Sequence, residues 1–190
     1  MVLETFVKTY TKQVSSAWLY ILILTVLFSG LIKYLSSRGL TRNYKSSRHG
    51  FFNGGILALS LAGILALTLC GREWDGRPGS RFQLIPFWSY WRTFFQRDEG
   101  LGIQIVNNIL LFIPFGFSLP LNFPGFRRVR NTVLASGLLS LTVELIQGFT
   151  GLGLCEIDDM IGNTLGGGIG VWIWNCCAGK KKRQERKRKH

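Results

Sequence analysis

Residues 132–149 read Thr-Val-Leu-Ala-Ser-Gly-Leu-Leu-Ser-Leu-Thr-Val-Glu-Leu-Ile-Gln-Gly-Phe. The run is close to the ~20 residues that a helix needs to cross a bilayer. It nevertheless carries Ser136, Ser140, Glu144 and Gln147, spaced so that all four fall on one helix face. A helix that is apolar over most of its circumference and polar along one stripe fits a membrane, with the stripe turned toward protein rather than lipid.

Four further apolar runs accompany it: Ala17–Leu35, Phe51–Leu69, Ile103–Leu121 and Ile157–Cys177. The whole chain has 190 residues, 47% hydrophobic and only 17% charged, with a mean hydropathy of +0.21. Such a composition excludes a secreted disulfide scaffold, a Rossmann or TIM-barrel enzyme and a disordered regulator. The expected fold is all-α: a polytopic transmembrane helical bundle of about five spans, forming one domain over residues 1–190. The fifth run starts with Asp158 and Asp159 and is rich in glycine, so it is the weakest span by hydropathy. A cleaved signal peptide is not expected, because the first run is too long and no small-residue cleavage site follows it.

The net charge is +13, from 23 Lys and Arg against 10 Asp and Glu. With five spans the basic residues divide unevenly. One side receives Arg38, Arg42, Lys45, Arg48, Arg127, Arg128, Arg130 and the basic tail over 180–190. The other receives Lys8, Lys12, Arg72, Arg77, Arg81, Arg92 and Arg97. The first set is roughly twice the second, and the positive-inside rule assigns it to the cytoplasm. The N-terminus is then expected outside and the C-terminus inside. The tail reads as a topology determinant and lipid anchor. No nucleic-acid-reading module stands beside it, so membrane lipids and not nucleic acid are the expected partners.

Polar residues within spans are expensive, roughly 2.5–3.5 kcal/mol for a charge at mid-bilayer, which makes each one a functional candidate. In this topology the third span delivers Gln104, Asn107 and Asn108 to its outer half. The fourth delivers Glu144 and Gln147, and the fifth delivers Asp159 and Asn163, four residues apart. Asp158 points elsewhere or caps the start of that fifth helix. The expected ligand-binding set is Asn108, Glu144, Gln147, Asp159 and Asn163. Interhelical hydrogen-bond glue competes with a shared site for any one of them. Gly162, Gly166 and Gly170 repeat at spacing four, a small-residue face suited to close packing on a helix of the same chain or of a second copy. Pro114 is expected to bend or break the third span.

Smaller signals complete the reading. Leu3, Phe6, Tyr10 and Val14 are spaced for a short interfacial helix. Trp88, Tyr90, Trp91, Phe94 and Phe95 after Pro86 suggest a segment on or dipping into the outer interface. Cys70 and Cys155 fall on one side and could pair, whereas Cys176 and Cys177 are adjacent at the inner boundary. His49 and His190 lie in basic segments, which leaves no His-based metal site or triad.

Four motifs, in order over residues 82–170, resemble the VanZ-like family of bacterial membrane proteins. They are Phe82-Gln83-Leu84-Ile85-Pro86-Phe87; Asn108-Ile109-Leu110-Leu111-Phe112-Ile113-Pro114-Phe115-Gly116 running on to Leu119-Pro120; Glu144-Leu145-Ile146-Gln147; and Ile157-Asp158-Asp159 followed by Asn163-Thr164-Leu165-Gly166-Gly167. Two departures stand out. The family commonly has an Arg shortly before the acidic motif, where this chain reads Gly151-Leu152-Gly153-Leu154-Cys155; Arg92 or Arg97 from the other outer loop could substitute. The first acid of the motif is Glu156 rather than Asp.

The resemblance implies a bacterial cell-membrane protein associated with low-level resistance to teicoplanin, a lipoglycopeptide. Two readings follow. In the first, a non-catalytic outer-leaflet pocket, with no cofactor, binds or shields a lipid-linked cell-wall component or a lipid-tailed antibiotic. In the second, a membrane enzyme acts on a polyprenyl-phosphate or phospholipid headgroup. There Glu144, Asp158 and Asp159 are the catalytic candidates, either as oxygen ligands of Mg²⁺ or Mn²⁺ or with Glu144 as general acid–base. A proton- or ion-coupled carrier is a third, weaker reading, since no internal repeat is present.

Overall fold

The computed structural model describes residues 2–38, 48–70 and 82–187. Arg42, Lys45, Arg72, Arg77, Arg81 and residues 188–190 lie outside the described residues, as do the side chains of the N-terminal amphipathic stretch. The described residues form α1 (Val2–Ser37), α2 (Arg48–Leu65) continued by a π-helical turn (Ala66–Cys70), β1 (Phe82–Gln83), α3 (Trp88–Phe95), α4 (Glu99–Asn122), a 3-10 turn (Pro124–Arg127), α5 (Val129–Thr150), β2 (Cys155–Glu156) and α6 (Ile157–Lys187).

The all-α reading holds. Four segments are long and apolar enough to cross a membrane: Ala17–Leu35, Phe52–Cys70, Glu99–Asn122 and Val129–Thr150. The fifth run is helical too, inside the 31-residue α6. Its glycines, Asn163 and Asn175 keep its hydropathy below that of the other four. It packs along both α4 and α5 and leaves Leu165, Ile169 and Trp172 exposed on its remaining face.

Two local expectations are corrected. The N-terminal stretch is not a separate short helix, because α1 runs unbroken for 36 residues. No proline interrupts it, so helical hydrogen bonding continues through Ser15 and Ser16 into the apolar run. Of the bend or break expected at Pro114, the break does not occur. The helix is continuous through both Pro114 and Pro120, as helices in membranes tolerate when neighbouring elements satisfy the freed backbone groups. Asp98 starts α4, its side chain accepting from the Leu101 N–H at 3.2 Å. Gly151, at φ 74°, ends α5 in the left-handed conformation that glycine adopts without steric cost.

Burial runs opposite to that of a soluble bundle. On α5, Ser136 and Ser140 are fully buried and Glu144 and Gln147 nearly so, whereas Leu138 is 64% exposed and Phe149 68%. The polar stripe faces protein and the leucines face outward. On α1 the exposed surface is again apolar, including Trp18, Leu22, Val26 and Leu27. A folded chain of this kind needs an apolar surrounding, since that much exposed hydrocarbon is unfavourable in water. The interior holds an apolar cluster that includes Leu57, Ile64, Phe112, Phe115, Leu119 and Val143.

The most extensive helix–helix interface joins α4 and α6. Cβ atoms added at Gly166 and Gly170 would collide with the carbonyl oxygens of Ile109 and Ile113, and one at Gly116 with the backbone of Gly167. The expected glycine face is therefore consumed within the chain and is not open to a second copy. Gly162 differs, because its nearest neighbour, the Asn108 Cβ, is 3.6 Å away. Ascending positions on α4 meet ascending positions on α6, so the two helices run parallel. α5 runs against α6, since Ser140 pairs with Asn163 while Ser136, a turn earlier, meets Gly167, a turn later.

Gly166→Ala and Gly170→Ala are expected to destabilise the bundle by about 1–3 kcal/mol through overpacking. Gly162→Ala is expected to stay within about 0.5 kcal/mol. Thermal unfolding of the detergent-solubilised protein separates the two cases.

Candidate functional site

The polar residues of α4, α5 and α6 meet at the end of the bundle where α4 and α6 begin. Gln104 on α4 donates through Nε2 to both oxygens of Asp159 on α6, at 3.1 and 3.0 Å. One turn along, Asn163 donates through Nδ2 to the Ser140 hydroxyl on α5 at 2.9 Å. Because α5 and α6 are antiparallel, Glu144 and Asp159 each lie one turn beyond that pair in the same direction, about 6 Å along the axes. The Glu144 Oε2 accepts from the backbone N–H of Glu156 at 2.9 Å. Asn108 lies beside Gly162, within the same cluster.

Asp158 does something different. Its Oδ1 accepts from the Phe87 N–H at 2.6 Å and its Oδ2 from the Ser89 N–H at 2.7 Å. It caps a helix start, but that of α3 and not of its own helix. The sequence held a clue. Phe87 occupies the N-cap position of α3 at φ 63° and has no side chain that can cap, so the orphan N–H groups of the first turn need an acceptor from elsewhere. The Ser89 hydroxyl also donates to the Glu156 Oε2 at 3.1 Å. Phe82 and Gln83 pair with Cys155 and Glu156 in a parallel bridge, which ties the segment before α3 to the segment before α6.

Gln147 departs from the expected set. Its Nε2 donates to the Thr68 carbonyl at 2.7 Å. It thereby satisfies a carbonyl in the π-helical turn that ends α2 and fastens α5 there. Gln147 joins α5 to α2, while Asn108, Glu144, Asp159 and Asn163 gather on the α4–α5–α6 side.

Several buried polar atoms find no partner among the described residues: Asn108 Nδ2, Asn163 Oδ1, Gln147 Oε1, Ser136 Oγ, Asn107 Oδ1 and Tyr90 Oη. An unsatisfied buried group costs about 1–3 kcal/mol. Asn108 and Asn163 lie within the cluster, one with a spare donor and one with a spare acceptor.

The acids shape their surroundings. Burial raises the Tyr90 hydroxyl above the usual tyrosine range, and the nearby charges of Asp158 and Asp159 raise it further. Burial likewise raises the Cys155 thiol, with Glu144, Asp159 and Glu156 adding to it. Glu156, whose backbone N–H donates to Glu144, and Ser89, which donates to Asp158 and Glu156, adjoin the cluster, and Tyr90 and Cys155 lie close enough to feel its charges. In the sequence Glu156 stood out through its motif, whereas Tyr90 stood out only as an interfacial aromatic and Cys155 only as a possible partner of Cys70. Cys155 is a buried free thiol and Cys70 an exposed one, so the two are not joined. Arg92 turns to Asp98 at 3.0 Å and to Gln96, and Arg97 is exposed. Neither donates to Glu144, Glu156, Asp158 or Asp159.

The chain matches the VanZ/LLP1 family over residues 17–178. It belongs to that family. It is 40% identical over 118 residues to protein VanZ of Enterococcus faecium, covering 59% of this chain and 71% of that protein. No solved structure matches it. The cluster is assembled from residues of the VanZ-like motifs: Asn108, Glu144, Glu156, Asp158, Asp159 and Asn163 all lie in the matched region.

The arrangement bears on the metal-dependent reading as well. Among the described residues, no three His, Cys, Asp or Glu side chains are grouped to hold a metal ion. Both oxygens of Asp158 already serve backbone amides. The trio Glu144, Asp158 and Asp159 therefore does not fit a cation as one ligand set.

Asp158→Ala should remove the cap of α3 at a cost of about 1–2 kcal/mol. Hydrogen exchange should rise over Ser89–Phe95 while α4 and α5 keep their protection. In a background with Cys70, Cys176 and Cys177 as serine, the alkylation rate of Cys155 should reach half its maximum at a pH above the usual thiol range. Glu144→Gln removes one negative charge from beside the thiolate, so it should move that midpoint down.

Proposed function

We propose that this VanZ-family protein is a multi-pass protein of the bacterial cytoplasmic membrane. Its N-terminus lies outside and its C-terminus inside, and α6 supplies the fifth span. On this reading the Glu144–Asp159 cluster lies in the outer leaflet. It binds the polar headgroup of a lipid-linked cell-wall component, or of a lipid-tailed antibiotic such as teicoplanin, and so contributes to low-level teicoplanin resistance.

One observation carries the reading. Three helices each deliver buried amides or carboxylates to one end of the bundle, held by the Gln104–Asp159 and Asn163–Ser140 bonds, and Asn108 and Asn163 keep unused hydrogen-bonding atoms there. Interhelical glue alone satisfies its own donors and acceptors. The spare donor and acceptor favour a further polar group as the cluster's partner. The charge distribution supports the orientation, since Arg38 at the end of α1 and Arg127, Arg128 and Arg130 around the turn between α4 and α5 lie at the opposite end from the cluster.

The test is growth of a susceptible host with teicoplanin, expressing the parent chain, Asp159→Asn or Asn163→Ala. Protection by the parent and its loss in both variants at equal membrane abundance is the expected result. Unchanged protection in both would remove the cluster from the function.

A further inference from the structure

The short helix α3 presents two unlike faces. Ser89 is buried and bonded to Asp158 and Glu156. On the other side Trp88, Trp91, Phe94 and Phe95 are exposed, Phe94 to 78% and Phe95 to 75%. Trp88 stacks on Trp91 at 5.8 Å between centroids, and Trp91 lies 5.8 Å from Phe95. The rings thus form a continuous exposed surface. It extends through the exposed Leu84, Ile85 and Phe87.

We propose that α3 is an interfacial helix, its aromatic face seated in the lipid headgroup boundary of the leaflet that holds the acid cluster. The occupant is lipid and not protein, for three reasons. First, the patch continues a lipid-facing surface: Phe82, just ahead of it, meets the exposed Phe149 of the last turn of α5 edge-on at 5.7 Å. Second, its level is right. α3 packs where α4 and α6 begin, at the end of the spans, where tryptophan-rich belts reside. Third, it is followed by the exposed Arg97, whose stem can lie along apolar surface while its guanidinium group reaches a phosphate.

The helix is also fastened. Asp158 and Glu156 hold its first turn to the start of α6, so the depth of α3 in the interface fixes the depth of the carboxylates. The inference is independent of what ligand the cluster takes.

The full chain, reconstituted in phosphatidylcholine vesicles with bromine near the ester end or near the methyl end of the acyl chains, provides the test. Trp88→Phe/Trp91→Phe is compared with the parent. The chain has six tryptophans, and loss of these two should lower the quenching by shallow bromine by roughly one third, with a smaller change for deep bromine. Unchanged shallow quenching would overturn the proposal. So would loss of a component quenched by aqueous iodide instead, or of one protected from both quenchers, as a second copy or a protein partner would produce. A second measurement stands if that variant fails to reconstitute. With the native cysteines as serine, Phe94→Cys should react with a membrane-impermeant maleimide about tenfold more slowly in vesicles than Glu99→Cys. Equal rates would overturn the proposal.

Discussion

The carbonyl oxygens of Ile109 and Ile113 lie where Cβ atoms would be if Gly166 and Gly170 were any other residue. That backbone-to-backbone approach sets the spacing of α4 and α6. In lipid no hydrophobic force draws two helices together, so association relies on close van der Waals packing and interhelical hydrogen bonds. Here the two cooperate. The glycines bring the axes near enough for the Gln104 amide to reach both Asp159 oxygens. Ser136 fits against Gly167 from the other side, so α5 settles at a distance where Ser140 and Asn163 meet.

From that contact the rest of the site follows by chain connectivity. Once α6 is fixed, the two residues before it form β2 and pair with β1. Asp158, on the first turn of α6, then reaches the amides of Phe87 and Ser89. The buried acids accept from backbone N–H groups, a side-chain amide and a hydroxyl supplied from elsewhere in the sequence. Burial in such a setting is tolerable because every bond to a carboxylate is charge-assisted.

Much of this was legible in the sequence. The Ser136-Ser140-Glu144-Gln147 stripe, the Asp159–Asn163 pair and the glycine repeat all obey helical periodicity, which depends on local geometry alone. Their shared end of the bundle followed from counting spans. What stayed hidden depended on pairings between distant segments. Gln147 sits on the predicted stripe, yet its last bond goes to Thr68 in another helix. Asp158 caps a helix roughly seventy residues earlier. That α4 runs through Pro114 without a break is a tertiary outcome too, since the proline removes a backbone hydrogen bond that local rules alone leave unreplaced.

The 31 residues of α6 begin at two aspartates and run out into lysines and arginines. Every peptide unit between them points its dipole the same way, leaving partial positive charge at the first turn and partial negative charge at the last. The ionised groups at both termini oppose those partial charges, so the rod is electrically complemented along its length. Turning the segment end for end would set like against like at both ends of the helix at once.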